Sequence, residues 1–228
     1  MRHDPDAVMI FAAGHGTRMR PLSLDRPKAM VEVAGRPLID HAIAQARQVT
    51  PRKIVVNTHA HAALLDARLR GQSDVHTIHE TILLETGGGL RAALPDLGGG
   101  PVFTLNSDAV WAGPSALNTL KSHWRAPDMD ALLLLVPQER TFGHAGNGSF
   151  TLQADGQIAS PGPLIYTGAQ IVQPAALHDC PDTSFSIRWL WQRAAKHGRL
   201  YGCLYDGKWA DVGSPEGVGA AENMVDYK

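Results

Sequence analysis

Short apolar runs bounded by turn residues alternate with longer amphipathic stretches through residues 1–137, and this rhythm constrains the fold more than any other feature of the chain. It is the pattern of βαβ units around a mostly parallel, doubly wound sheet, an α/β fold. The predicted strands are Ala7–Ala12, Lys53–Asn57, Val75–His79, Val102–Asn106 and Ala131–Val136; Leu38–Val49, His61–Leu69, Gly88–Leu94 and Pro114–Trp124 read as the helices between them. After Pro137 the rhythm changes. Gly143, Gly146 and Gly148 interrupt the chain, and Asp155-Gly156, flanked by Ser149–Leu152 and Gln157–Ala159, signals a hairpin. A strand at Leu164–Val172, a helix at Ile187–His197, a strand at Leu200–Tyr205 and a helix from Pro215 to about Asp226 follow, the last with Ser214 as its expected cap. A single domain over 1–228 is expected, in which residues 138–228 form a small second lobe.

The 228 residues are 44% hydrophobic and 19% charged, which suits one α/β domain with a sizeable core. A formal net charge of −1 gives no global field to attract nucleic acid or an anionic membrane, so any basic site has to be local. The longest aliphatic run, Ala131–Val136, falls far short of the roughly 20 residues a membrane helix needs, and Val8–Ala13 is too short for a signal-peptide core. Cys180 and Cys203 form neither a disulfide framework nor a CxxC pattern. The expectation is a cytoplasmic protein, monomer or homodimer, with no nucleic-acid and no membrane partner.

Straight after the first predicted strand, Phe11 to Met30 reads FAAGHGTRMRPLSLDRPKAM. Gly14 and Gly16 supply mobile backbone whose N–H groups can approach an anion closely, and Arg18, Arg20, Arg26 and Lys28 supply charge. Neither familiar phosphate loop applies: the third small residue of GxGxxG is Met19, and GxxxxGK[ST] is absent.

The ordered set Ala12-Ala13-Gly14-x-Gly16-Thr17-Arg18-Met19, then Pro27-Lys28-Ala29, then Val33-x-Gly35-x-Pro37-Leu38-Ile39 resembles the signature LAAGxGxRMxPLTxxxPKPLxPVxGxPLI of the sugar-1-phosphate nucleotidylyltransferases, the nucleoside-diphosphate-sugar pyrophosphorylases. That resemblance implies a Rossmann-like, GT-A-like nucleotidyltransferase fold, with 1–137 binding nucleotide and 138–228 binding sugar and supplying the second metal ligand. It implies that Ala12, Ala13, Gly14, Gly16 and Thr17 wrap a triphosphate. Arg18 would steady the phosphates that leave, and Lys28 would lie against the α-phosphate and the sugar phosphate. Arginine suits forked oxygens and lysine a point charge. The chain departs from the signature at Phe11, at His15, a loop histidine expected to face solvent, and at Ala29, without losing a required charge.

Asp108 ends an apolar strand, Val102 to Leu105, where open α/β sheets place ligands. The family has a Mg²⁺-binding acid there, and a second one within W-x-D-[VI]-G-[TS], which matches Trp209 to Ser214 and makes Asp211 the counterpart. Two carboxylates with phosphate oxygens and water would give Mg²⁺ its oxygen shell.

In LLETGGGLRAALPDL the three consecutive glycines invite a close backbone approach. The family reads the nucleobase in this segment, which assigns that role to Glu85, Thr86, Gly87 and Gly88. The wording LETGGG is closest to bacterial N-acetylmuramate-1-phosphate uridylyltransferases, with Asn57-x-His59 and Tyr166-Thr167-Gly168 falling on comparable segments. Asn147, Gly168 and Asp206 are the candidates for a sugar pocket; the EKP motif of longer relatives is missing between Phe150 and Leu164, as in the short uridylyltransferases. His59, His61, His76 and His79 offer HxH spacing without a third ligand, and no zinc is proposed. The implied reaction joins a nucleoside triphosphate, UTP preferred, to a sugar 1-phosphate, N-acetylmuramate 1-phosphate preferred, releasing pyrophosphate. Alternatives are a guanylyltransferase for mannose or heptose 1-phosphate, and a nucleotide-sugar-binding regulator without catalysis.

Overall fold

The computed structural model describes residues 4–226. In chain order its elements are β1 (Ala7–Phe11), the antiparallel pair β2 (Glu32–Val33) and β3 (Arg36–Pro37), α1 (Leu38–Arg47), β4 (Lys53–Thr58), α2 (Ala62–Leu69), β5 (Val75–His79), α3 (Glu85–Leu97), β6 (Val102–Asn106), β7 (Ala109–Ala112), α4 (Ala116–His123), β8 (Ala131–Val136), β9 (Thr141–Phe142), β10 (Phe150–Leu152), β11 (Ile158–Val172), α5 (Arg188–Lys196), β12 (Leu200–Leu204), β13 (Lys208–Asp211) and α6 (Pro215–Asp226). Among the described residues no helix is long and apolar enough to cross a membrane.

The main sheet has eight strands in the order β12-β8-β11-β6-β1-β4-β5, with β10 paired to β11. β6, β1, β4 and β5 run parallel, β12 is parallel to β8, and β11 runs antiparallel to both β6 and β8. The sheet is therefore mixed and mostly parallel, as the alternating rhythm predicts. Successive residues of β1 feed opposite cores: Val8 and Ile10 pack with Ile39 and Ile43 of α1, Leu65 of α2 and Leu117 of α4, whereas Ala7 and Met9 pack with Leu90 of α3 and Leu190 of α5. β8 is buried along its whole length, which is what helices on both faces of a sheet require of a central strand. Cys203 lies in the first of these cores, where burial pushes its thiol up to about 12 and keeps it unreactive.

The second part of the chain does not stand apart as a lobe. β11 enters the middle of the main sheet through Ile165–Val172, and its fifteen residues continue through Pro161, Gly162 and Pro163 as one strand, not as the two short ones read from sequence. Its fully buried Gln170 accepts a hydrogen bond from Trp191 Nε1 at 2.7 Å, tying α5 to the sheet by a polar contact inside the core.

A separate three-stranded sheet, β7-β13-β9, was not legible in the sequence. It stands on a small core of Met19, Val31, Val33, Leu38, Val110, Ala210, Val212, Ala221 and Met224. Met19, which spoils a dinucleotide fingerprint, is thus a fully buried anchor for the turn that carries Arg18.

Strand order leaves a crevice. From β1 the chain moves to β4 and β5 on one side, then returns to β6 on the other, so the loops after β1 and β6 open a gap at their carboxyl ends.

Replacing Trp191 by Phe keeps an aromatic ring but strips Gln170 of its donor and leaves space where the second ring was, and urea unfolding should show a loss of roughly 1–3 kcal/mol with an unchanged slope.

Candidate active site

The crevice is a cavity of about 370 Å³ lined by Phe11 to Gly14, Lys28, Asn57, Glu80, Leu83, Glu85, Thr86, Asn106 to Asp108 and Ser186. The glycine loop forms one wall. A Cβ on Gly14 would meet nothing within 4 Å, so its backbone faces open space, as a phosphate cradle requires. Gly16 has φ +63, and a Cβ there would lie 2.9 Å from Lys28 Cβ, so glycine lets the lysine-bearing turn pass close beneath the loop. Ser23 Oγ donates to the Gly16 carbonyl at 2.7 Å and clasps the two ends of the stretch together.

A buried relay sets the opposite wall. The Ala12 N–H donates to Asn57 Oδ1 at 2.8 Å, Asn57 Nδ2 donates to Glu80 Oε1 at 2.7 Å, and the Leu84 N–H donates to Glu80 Oε2 at 2.9 Å. The loops after β1, β4 and β5 and the head of α3 are thereby held in one frame, with both carboxylate oxygens of the buried Glu80 satisfied. Glu80 was not legible as a site residue, since only its partners distinguish it from a surface acid. His59 Nδ1 lies 2.8 Å from the Glu80 carbonyl oxygen, and its ring meets that of the exposed His15 edge-on.

Acidic and basic groups meet at the far end. Asp211 pairs in register with Ala109, and the Val212 N–H donates to the Asp108 carbonyl at 2.8 Å, so two aspartates far apart in sequence occupy neighbouring positions at the end of β13 and just before β7. Lys28 Nζ lies 2.6 Å from Asp108 Oδ2. A Cβ on Gly213 would lie 2.9 Å from Asp211 Oδ1 and 3.5 Å from a guanidinium nitrogen of Arg18. Lys28 thus faces Asp108, and Arg18 and Asp211 meet at Gly213, on the adjoining strand end.

The glycine triplet packs against the segment that precedes α5. Helix α3 begins at Glu85, and the Gly87 and Gly88 N–H groups both donate to the Phe185 carbonyl, at 2.8 and 3.1 Å. A Cβ on Gly87 would lie 2.5 Å from the Phe185 ring, one on Gly88 2.5 Å from the Thr183 carbonyl oxygen, and one on Gly89 2.7 Å from Glu80 Oε1. The triplet is a packing face for the segment before α5, and Gly87 and Gly88 do not line the cavity. Glu85 and Thr86 do; Thr86 Oγ1 also accepts the Ile187 N–H at 2.9 Å, and Ser186 comes in with that segment. Glu85 holds φ +58, a backbone state that ordinarily favours glycine.

Of the candidate sugar residues, Gly168 lies behind the cavity wall, with φ +82 and its Cβ position 2.9 Å from Asn106 Nδ2. Asn147 is exposed on the loop between β9 and β10. Asp206 is elsewhere: it pairs with Arg140 at 3.5 Å and lines a larger hollow of about 970 Å³ with Trp111 and Lys208. That hollow includes none of the signature residues Ala12 to Arg18 or Lys28, so residue chemistry and not size identifies the site.

Residues 8–178 match the model of the MobA-like NTP transferase domain. An N-acetylmuramate alpha-1-phosphate uridylyltransferase of Caulobacter vibrioides is 39% identical, over 97% of this chain and 98% of its own length. The catalytic subunit beta of a mannose-1-phosphate guanylyltransferase of Dictyostelium discoideum is 28% identical over 97% of this chain and 66% of its own. Among solved structures, a UDP-glucose pyrophosphorylase complexed with UDP-glucose superposes with a TM-score of 0.78 at 18% identity, covering 97% of this chain and 98% of that one, a likeness of fold.

Replacing Gly213 by Ala puts a methyl group against Asp211 Oδ1 and Arg18 together. Steady-state pyrophosphate release should fall by roughly a hundredfold in kcat while thermal unfolding stays close to wild type.

Proposed function

The chain belongs to the MobA-like NTP transferase family, among its sugar-1-phosphate nucleotidylyltransferases, and from that premise we propose that it condenses UTP with N-acetylmuramate 1-phosphate. What carries the catalytic part of this reading is the backbone bond from Val212 to Asp108, which sets Asp108 and Asp211 on adjoining strand ends, with Lys28 against Asp108 and Arg18 near Asp211 at Gly213. The LETGGG wording and the 39% identity to the Caulobacter vibrioides uridylyltransferase support the choice of substrates. Such an enzyme would recycle cell-wall sugar in the cytoplasm, where nucleoside triphosphates are made.

A sugar-phosphate oxygen attacks the α-phosphorus in line; the new phosphorus–oxygen bond forms as the bond to the β-phosphate bridging oxygen breaks, and pyrophosphate leaves. The nucleophile is already an anion, so no general base is needed. The task of the protein is to align two polyanions and to neutralise them. Gly14 lets the backbone approach the triphosphate, and Gly16 lets Lys28 sit close beneath the loop. Arg18, at Gly213, takes the departing phosphates, and Lys28 neutralises the centre where charge builds. Phe11, Leu83 and Thr86 give the base a mixed apolar and polar seat.

Asp108 and Asp211 fit Mg²⁺: both offer hard oxygen donors, and at 27% and 24% side-chain exposure they leave room for the waters this ion retains. Bound there, Mg²⁺ would supply charge neutralisation on the phosphates. A guanylyltransferase is the second reading, favoured by the 28% identity to the Dictyostelium discoideum enzyme.

A panel of UTP, GTP, CTP, ATP and dTTP against N-acetylmuramate, mannose and heptose 1-phosphates, read by pyrophosphate release, tests the assignment. Turnover with UTP and N-acetylmuramate 1-phosphate is expected; robust GTP use without UTP turnover would overturn it, and nucleotide binding without any pyrophosphate release would favour a regulator. In the same assay Asp108→Asn should lower turnover by roughly a hundredfold or more and leave the circular-dichroism spectrum unchanged. Lys28→Met should reduce kcat far more than it raises KM for the triphosphate, the pattern of a group acting on developing charge.

A further inference from the structure

Asp211 is held from a second direction by a residue that the reaction above does not use. β9 runs parallel to β13 with Phe142 opposite Ala210, so the chain leaving β9 passes alongside Asp211. His144, on that exit, places Nδ1 2.9 Å from Asp211 Oδ2. A carboxylate can only accept, so Nδ1 carries the proton.

Two glycines make this placement possible. Gly143 has φ +69, and a Cβ there would lie 2.6 Å from the Asp211 carbonyl oxygen and 2.9 Å from Gly217 Cα. A Cβ on Gly146 would lie 2.7 Å from His144 Nε2, so the loop closes directly under the ring. The ring also lies against Trp209, with centroids 5.6 Å apart, and the side chain is only 20% exposed. With Oδ2 engaged, the other oxygen, Oδ1, lies at Gly213 beside Arg18.

We propose that His144 is a positioning residue for nucleotidyl transfer: its Nδ1–H fixes the Asp211 carboxylate so that Oδ1 is the oxygen offered to the divalent cation. This rests on the reading of Asp211 as a metal ligand. Groups that hydrogen-bond a metal-ligating carboxylate fix its orientation, and losing one typically weakens metal binding by roughly ten- to a hundredfold.

The test is a Mn²⁺ titration followed by electron paramagnetic resonance, with the full chain saturated with UTP, and again with GTP, in the absence of sugar phosphate. His144→Ala should weaken Mn²⁺ binding by roughly ten- to a hundredfold. His144→Asn, whose amide N–H falls where Nδ1–H was, should recover most of the affinity; His144→Gln, whose amide reaches the place of Nε2, should not. Thermal midpoints of the variants without added ligand should stay near wild type. Wild-type affinity in His144→Ala overturns the proposal, as does a loss that Asn fails to restore. Asp211→Asn separates the two claims. If it binds Mn²⁺ as tightly as wild type, the ligand assignment falls and takes the proposal with it; if it loses binding while His144→Ala does not, only the proposal falls.

Discussion

The hydrogen bond from the Val212 N–H to the Asp108 carbonyl, at 2.8 Å, is the contact on which the rest of the site depends. It continues the β7–β13 ladder past its last register pair and brings together two acids that the chain makes far apart. Side chains on neighbouring strands are held by backbone geometry, which is stiffer than any loop. The small core under this ladder extends the constraint: Met19 shares it with Val110 and Val212, so the arginine turn and both acidic positions rest on one apolar platform.

Placement of the nucleotide wall follows a different logic. There the fixed points are polar, a chain of hydrogen bonds from Ala12 through Asn57 and Glu80 to Leu84. A buried carboxylate whose oxygens are both engaged is costly to disturb from either side, so the relay transmits position between these loops. Apolar packing fixes the turn that carries Arg18, and the polar relay fixes the opposite wall of the cavity.

What could be read from the chain follows from how local the information is. β1, β4, β6 and β8 announce themselves because each is an apolar run covered by helices next to it in sequence, β5 by the alternation of VHTIH, and the ends of all five differ from expectation by at most a residue. The signature residues were equally legible, since charge and glycine spacing are local. β7, β9 and β13 were not: strands of two to four residues carry no periodicity, and their partners lie far along the chain. The glycine triplet signals a close approach without saying what approaches, and Phe185 is what packs against Gly87. Glycine also hid the first turn of α3, a poor helix former held in place by that docking. His144 and Glu80 drew no notice since only their partners, Asp211 and Asn57, give them meaning.

The strand order also dictates how this protein can be made. β11 lies between β6 and β8 yet leaves the ribosome after both, so the two older strands have no shared neighbour until synthesis has passed Val172. For that interval Ala131–Val136, apolar throughout, is an unsatisfied edge on a growing nascent chain. Biogenesis thus leaves an adhesive segment uncovered until its sheet neighbours β11 and β12, both later in the chain, have been made.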